Sequence, residues 1–297
     1  MKNKLKCLSL FLAVVGWGEG GRDLGQVAAG STVRAVVIGD FGETGEDSGQ
    51  EAVAKAIRGV HETKRFHIGL TVGDNFYPSG VKDAADPHWK SEFHEKYDAL
   101  GIRFFATLGN HDYRGNAQAQ VDYTNAPGNR TWQMPARYYT FAAGPVRFFA
   151  LDTDEGTIGL FQSKPWSDEQ SKWLEDQLAR HAAARWKVVY GHHPIFSDGH
   201  HGDEKRLKKK LLPVLQAHKV DVYLAGHDHD MQHFEQGGIQ FFVVGGGGAG
   251  TRKVKRKRAD FAEQTHGFLE LEAGANQMEL RMAGADGRTL YSRTLKK

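Results

Sequence analysis

Short apolar runs punctuate this chain, and each ends on a glycine followed by a polar residue. Val33 to Ile38 leads to Gly39-Asp40-Phe41-Gly42, and Phe66 to Val72 leads to Gly73-Asp74. Ile102 to Leu108 leads to Gly109-Asn110-His111-Asp112, and Trp186 to Tyr190 leads to Gly191-His192-His193. Val220 to Ala225 leads to Gly226-His227-Asp228-His229. Runs this short, rich in Val, Phe and Ile, read as buried strands. Helical spacing separates several of them. Ser48 with Glu51 predicts a capping box before a helix whose apolar face is Ala52, Val53, Ala56, Ile57 and Val60. Ser167 with Gln170 predicts a second cap, ahead of Trp173, Leu174 and Leu178. Leu207, Leu211 and Leu215 mark a third helix, with a kink or restart expected at Pro213. The tail changes character: 268–272, 278–282 and 290–293 read as antiparallel strands with no helices between them.

Strands alternating with helices imply a parallel or mixed sheet covered by helices. Ligands in such sheets gather just beyond the strand ends. The repeated order of strand, glycine and polar residue therefore brings all five motifs to one rim. No linker divides the chain after the leader, so residues 30–297 are expected to form a single domain. Residues 1–29 read as a signal peptide and leader: Lys2, Lys4 and Lys6 precede the apolar run Leu5 to Val15, and a cut after Ala29 fits the small-residue rule. The run is too short to span a bilayer comfortably, and no later segment is long and apolar enough to do so. A secreted or periplasmic protein without a transmembrane segment is expected. The chain's single cysteine is Cys7, inside that leader, so the mature chain would form no disulfide.

Composition adds two facts. A net charge of +3 is too small to imply a nucleic-acid partner, and none is expected. Fifteen histidines are an excess of the commonest protein metal ligand. The stretch Gly73-Asp74-Asn75-Phe76-Tyr77 sets a carboxylate and a phenol three residues apart, a pair of hard anionic oxygen donors that suits a highly charged ion. One carboxylate can bridge two ions, which makes Asp74 the centre of an expected two-metal site. Each motif alone is weak, since Gly-Asp is common in turns; the force lies in five motifs sharing one context.

That ordered set resembles the calcineurin-like metallophosphoesterases. With Tyr77 included it looks like the purple acid phosphatases, especially their short, tartrate-resistant form. The resemblance spans Val33 to about Gly250 and implies a mixed α/β fold, a four-layer αββα sandwich of two central mixed β-sheets flanked by helices. It implies that Asp40, Asp74, Tyr77 and His229 hold Fe(III), and that Asp74, Asn110, His192 and His227 hold a divalent ion, Fe, Zn or Mn. It implies hydrolysis of phosphate monoesters by attack of a metal-bound hydroxide, with an acidic optimum. His111 is the first candidate for donating a proton to the leaving group and His201 the second, with His193 and His200 competing for contact with substrate. Asp112 and Asp228 are expected either to orient histidines or to be plain polar loop residues. Partners would be small phosphorylated molecules and phosphoproteins, and the chain is expected to be a monomer. The stretch between Asp152 and Ser167 is short where tartrate-resistant members carry a longer exposed loop.

Rival readings remain at this level: a phosphodiesterase of the same superfamily, a redox-active iron protein, or a non-enzymatic metal- or phosphate-binding protein. Two further features stand outside the set. Gly245 to Gly248 reads either as a loop letting backbone approach the phosphate rim or as a flexible turn; without a following Lys-Ser/Thr pair it is not a nucleotide P-loop. The basic run Arg252 to Arg258 reads as a solvated loop or as a surface that attracts polyanions.

Overall fold

The computed structural model describes Val27, residues 31–43, Gly45, residues 48–154 and residues 167–297. Apart from Val27, which is buried in the core, the expected leader lies outside the described residues, as does most of the short stretch before Ser167. In chain order the elements are β1 (Val33–Ile38), α1 (Gln50–Thr63), β2 (Ile68–Val72), α2 (Glu95–Tyr97), β3 (Arg103–Thr107), α3 (Ala117–Asp122) and β4 (Trp132–Gln133). Next come β5 (Tyr139–Ala143), β6 (Val146–Ala150), α4 (Asp168–Arg180), β7 (Trp186–Tyr190), α5 (Lys205–Ala217) and β8 (Val222–Ala225). The chain closes with β9 (Met231–Gln236), β10 (Ile239–Val244), β11 (Phe261–Glu263), β12 (Gly267–Ala273), β13 (Gln277–Gly284) and β14 (Thr289–Lys296). Helix α2 is one short turn between a π-helical turn, Trp89–His94, and a 3-10 turn, Asp98–Leu100.

The strands form two seven-stranded sheets, ordered β14-β13-β12-β1-β2-β3-β4 and β11-β9-β10-β8-β7-β6-β5. Strands β1 to β4 run parallel, and the three tail strands continue that sheet in antiparallel fashion. Strands β6, β7, β8 and β10 are likewise parallel, with antiparallel β5, β9 and β11 outside them. Both sheets are thus mixed, as expected of the two-sheet α/β sandwich.

The alternation of side chains along a strand sorts the core into layers. Trp186, Val188 and Tyr190 of β7 join the core shared by both sheets, whereas Val189 joins a second cluster with Leu174, Leu178, Leu207, Leu211 and Leu215 of α4 and α5. Phe148 and Phe149 of β6 divide in the same way. Each such side chain contributes roughly 1.5–3 kcal/mol on burial. The continuous apolar runs in the sequence are therefore strands buried on both faces.

Several local expectations are corrected. Ser48 and Glu51 form no capping box: α1 starts at Gln50, Ser48 Oγ donates to the Glu43 carbonyl, and Glu51 pairs instead with Arg58 and Lys96. Ser48 Oγ still accepts from Gln50 N at 3.2 Å, but the Ser48 N–H that the box would give to Glu51 donates to the Gly45 carbonyl at 3.2 Å. The buried stripe of α1 is Val53, Ala54 and Ile57, with Ala52 exposed. Ser167 does cap α4, accepting from Gln170 N, but the Gln170 side chain turns inward to the Asp152 backbone. Helix α5 runs through Pro213 without a restart; Pro213 and Lys209 are exposed, so the carbonyl that loses its N–H partner sits on the wet face. The Gly245 to Gly248 stretch is not a loose turn. A methyl on Gly245 would meet the Asp228 carbonyl oxygen at 2.1 Å, one on Gly247 the Gly39 oxygen at 2.3 Å, and one on Gly248 the Phe41 oxygen at 2.2 Å. These glycines press their backbone against the turns that follow β1 and β8.

Gly42 lies in a similar vice, where a Cβ would stand 2.0 Å from the Asn75 carbonyl oxygen. Gly42→Ala is expected to cost about 3 kcal/mol, the upper end for overpacking a rigid site. Urea unfolding checks this, and a loss below 1 kcal/mol would contradict it.

Candidate metal centre

The five motifs do converge. Asp40, Asp74 and Asn110 follow β1, β2 and β3 of the first sheet, and His192 and His227 follow β7 and β8 of the second. Sharp turns at the strand ends aim these side chains. Asp40, Asp74 and His227 have φ of 55°, 50° and 72°, a left-handed conformation that non-glycine residues adopt only where surrounding structure enforces it. Backbone amides hold the carboxylates: His227 N donates to Asp40 Oδ2 at 2.9 Å, and His111 N donates to Asp74 Oδ1 at 2.7 Å.

The remaining donor atoms fall into two groups that share Asp74 Oδ2. In the first, the Tyr77 hydroxyl lies 3.1 Å from Asp40 Oδ1, 3.1 Å from Asp74 Oδ2 and 3.2 Å from His229 Nε2. In the second, His192 Nε2 lies 3.4 Å from Asp74 Oδ2, 3.2 Å from Asn110 Oδ1 and 3.2 Å from His227 Nδ1. Asp40, Asp74 and His192 each bring a ligand atom to within 4.8 Å of the others, and all three are buried.

Proton counting tests whether a cation suits this arrangement. His192 Nδ1 lies 2.9 Å from the Val72 carbonyl and His229 Nδ1 lies 3.0 Å from the Gly250 carbonyl. Carbonyls only accept, so both Nδ1 atoms carry a proton and both Nε2 atoms point inward. The single Tyr77 proton then faces three lone-pair donors. Charge tells the same story. Burial disfavours protonated His192, yet Asp74 and Asp40 outweigh it and push its pKa up to about 10. Burial, then the neighbouring imidazoles, hold His227 well below its ordinary range and so neutral. A buried site with this surplus of lone pairs and negative charge suits positive ions.

The flanking residues are held in distinct ways. His111 packs against Tyr77 at a 44° tilt with ring centroids 4.3 Å apart; its Nδ1 lies 2.8 Å from the Pro78 carbonyl and 3.2 Å from the Arg114 guanidinium, and its Nε2 has no hydrogen-bond partner among the described residues. His201 lies 4.1 Å from the His227 ring, with Nδ1 2.9 Å from Asp228 Oδ1. Asp228 is thus a residue that orients a histidine. Asp112 is not: its carboxylate accepts from the backbone of Gly109 and Asn75 and from the side chains of Asn75 and Gln120. It fixes the loop that carries Asn110. Burial first, and then Asp74, push Asp112 up to about 7. Asp112→Ala leaves those donors without an acceptor, and the loss of a buried, charge-assisted network is expected to cost about 3 kcal/mol. Thermal and urea unfolding measure this; an unchanged midpoint would count against it.

His193 is buried, packs 4.5 Å from the His227 ring and accepts or donates at Thr153 Oγ1, 3.0 Å away. Burial and the His192 charge hold its pKa at about 3, so it is a neutral wall of the site. His200 is exposed and, among the described residues, touches the cluster through the His201 ring, 5.0 Å away. One residue escaped the sequence reading, and another, Arg252, was read only as part of the basic run. Thr153 Oγ1 accepts from the backbone of both His192 and His193, at 3.1 and 2.9 Å. It follows β6 as the ligands follow their strands, but without the glycine that flagged the others. Arg252 places its guanidinium 3.4 Å from His201 Nε2.

Comparison with known proteins gives a consistent set. The calcineurin-like phosphoesterase profile matches residues 33–231. Purple acid phosphatase 17 of Arabidopsis thaliana is 30% identical over 310 residues, covering 97% of this chain and 91% of its own length. Tartrate-resistant acid phosphatase type 5 of Sus scrofa is 30% identical, covering 76% of this chain and 74% of its own length. Among solved structures, GAP50, the anchor in the inner membrane complex of Plasmodium, superposes with a TM-score of 0.76 at 25% identity, over 89% of each chain. The purple acid phosphatase PPD1 from yellow lupin seeds shares the fold, with a TM-score of 0.70 at 20% identity over 91% of this chain and 55% of its own.

Proposed function

We infer function from one premise: the chain belongs to the calcineurin-like phosphoesterases and, within them, to the purple acid phosphatases. It is an acid phosphatase with a binuclear metal centre that hydrolyses phosphate monoesters. Beyond this we propose the ligand assignment. Asp40, Asp74, Tyr77 and His229 hold Fe(III), and Asp74, Asn110, His192 and His227 hold a divalent Fe, Zn or Mn ion. The observation that carries the assignment is the pair of donor groups sharing Asp74 Oδ2. The first group has two carboxylates and a phenol, hard donors suited to a trivalent ion; the second has two imidazoles and an amide, suited to a borderline one.

When bound, the two ions polarise phosphoryl oxygens and acidify water enough for it to act as a nucleophile at low pH. The chain's own groups do the rest. Val72 and Gly250 carbonyls fix the inward lone pairs of His192 and His229. His111, held by Pro78 through Nδ1, presents Nε2 at the rim as the proton donor to the leaving oxygen. His201, clamped by Asp228, is positioned for the same role or for contact with phosphate. Residues 1–29 serve export, so that residues 30–297 act as one secreted or periplasmic domain.

Metal analysis and visible absorption of the purified protein, with parallel assays on a phosphomonoester and a phosphodiester, test this reading. Two ions per chain, a phenolate-to-iron band and acidic monoesterase activity are expected. A colourless, iron-free active enzyme would remove the ferric assignment; diesterase activity exceeding monoesterase activity would favour the phosphodiesterase alternative.

A further inference from the structure

The basic run left aside by the metal centre is tied to its rim. Arg252 N donates to the carbonyl of His229 at 3.0 Å, and its guanidinium sits 3.4 Å from His201 Nε2. From there the chain is strapped down by one carboxylate. Asp198 Oδ2 accepts from the backbone N–H of Lys257, Arg258 and Ala259 at 2.7, 2.6 and 3.0 Å, and the Asp198 carbonyl accepts from Lys255 N at 3.0 Å. A merely solvated loop has no need of such an anchor.

The charges on this strap are mostly uncompensated. Arg258 is neutralised by Asp198 at 3.0 Å and Asp203 at 2.7 Å. Arg256 donates to the Ala259 and Asp260 carbonyls, which leave its charge in place. Lys253, Lys255 and Lys257 are exposed and make no side-chain hydrogen bond or ion pair among the described residues. Like charges held together by a rigid anchor concentrate anions. No aromatic side chain lies within the strap to stack on bases, and its only apolar residue is Val254, half-buried, so neither single-stranded nucleic acid nor a bilayer is well matched.

We propose that Arg252, Lys253, Lys255 and Lys257 bind the phosphates that follow the one being cleaved, and so select linear oligophosphates as substrates. This rests on the phosphatase reading. The terminal phosphate enters the metal centre beside His201, and the next phosphates lie along the strap. A water oxygen bonds to the terminal phosphorus and the bridging P–O bond breaks. The electron pair leaves on the shortened oligophosphate, whose bridging oxygen takes up a proton, and inorganic phosphate is released.

The test compares the metal-loaded full-length protein with the Lys253→Ser, Lys255→Ser, Lys257→Ser triple variant. Inorganic tripolyphosphate and p-nitrophenyl phosphate serve as substrates, and a methylene-bridged, non-hydrolysable triphosphate analogue serves for calorimetric binding. The triple variant is expected to lose about tenfold in kcat/KM on tripolyphosphate, through KM, and about tenfold in analogue affinity. Its kcat/KM on p-nitrophenyl phosphate should stay within about twofold. Added salt should depress the tripolyphosphate rate of the parent protein more than the p-nitrophenyl phosphate rate. Equal losses on both substrates, or no loss on tripolyphosphate, would overturn the proposal. A parent protein inactive on p-nitrophenyl phosphate would sink the phosphatase reading, leaving calorimetry to decide the strap: an unchanged analogue affinity would then overturn it. Loss of binding to anionic vesicles or DNA with unchanged analogue affinity would also overturn it.

Discussion

Asp74→Asn is expected to lower kcat/KM for a phosphate monoester by about 10^4-fold, equivalent to about 5.5 kcal/mol of transition-state stabilisation. The change is isosteric, so its effect is chemical. Asp74 Oδ1 accepts from His111 N, and Oδ2 is the atom common to both donor groups. An amide has one oxygen to offer. With its nitrogen at the Oδ1 position, it sets N–H against the His111 N–H. With its nitrogen at the Oδ2 position, it removes the lone pair that both groups share. Either orientation also deletes a negative charge from a buried site designed around cations. Metal content should fall from two ions per chain to one or none, while circular dichroism stays that of the parent. A variant that keeps two ions and activity within tenfold of the parent would refute the bridging role of Asp74.

The second large effect is spectroscopic. Tyr77→Phe is expected to abolish the visible absorption band altogether. Phenylalanine retains the ring that packs 4.3 Å from His111 and removes only the oxygen that approaches Asp40, Asp74 and His229. Activity should fall less than in Asp74→Asn, since three donors of that group remain and the other group is intact. A band that survives the substitution would show that Tyr77 is not an iron ligand, whatever the activity does.

The candidate ligands were legible in the sequence because their chemistry demands particular residue types and because each follows a strand that is apolar on both faces. Asp40, Asp74, Asn110, His192 and His227 needed only that regularity to be found. The two-sheet fold was legible for a related reason: continuous apolar runs separated by helical spacing admit few other arrangements. What escaped depends on contacts distant in sequence. Thr153 matters through its oxygen beneath the His192 and His193 backbone, a placement set by the pairing of β6 with β7. The capping box at Ser48 failed because Arg58 and the more distant Lys96 take the Glu51 carboxylate, while the Ser48 amide donates to the Gly45 carbonyl. Strands β4, β5, β6, β9 and β11 were missed because no metal-binding residue type after a glycine marks their ends. The role of Gly245 to Gly248 could be read only once the opposing carbonyls were in place.

Each donor group draws on both sheets. Asp40, Asp74, Tyr77 and Asn110 extend from the first sheet, and His192, His227 and His229 from the second. An ion held by either group therefore works as a removable cross-link between the two halves of the sandwich, closing loops that reach from Asp40 to His229. Its strength is set by ion activity rather than by the chain, so resistance to unfolding becomes a function of the surrounding metal supply. A phosphatase built in this way couples its durability to its loading: the same scarcity that silences it also loosens it for proteolysis.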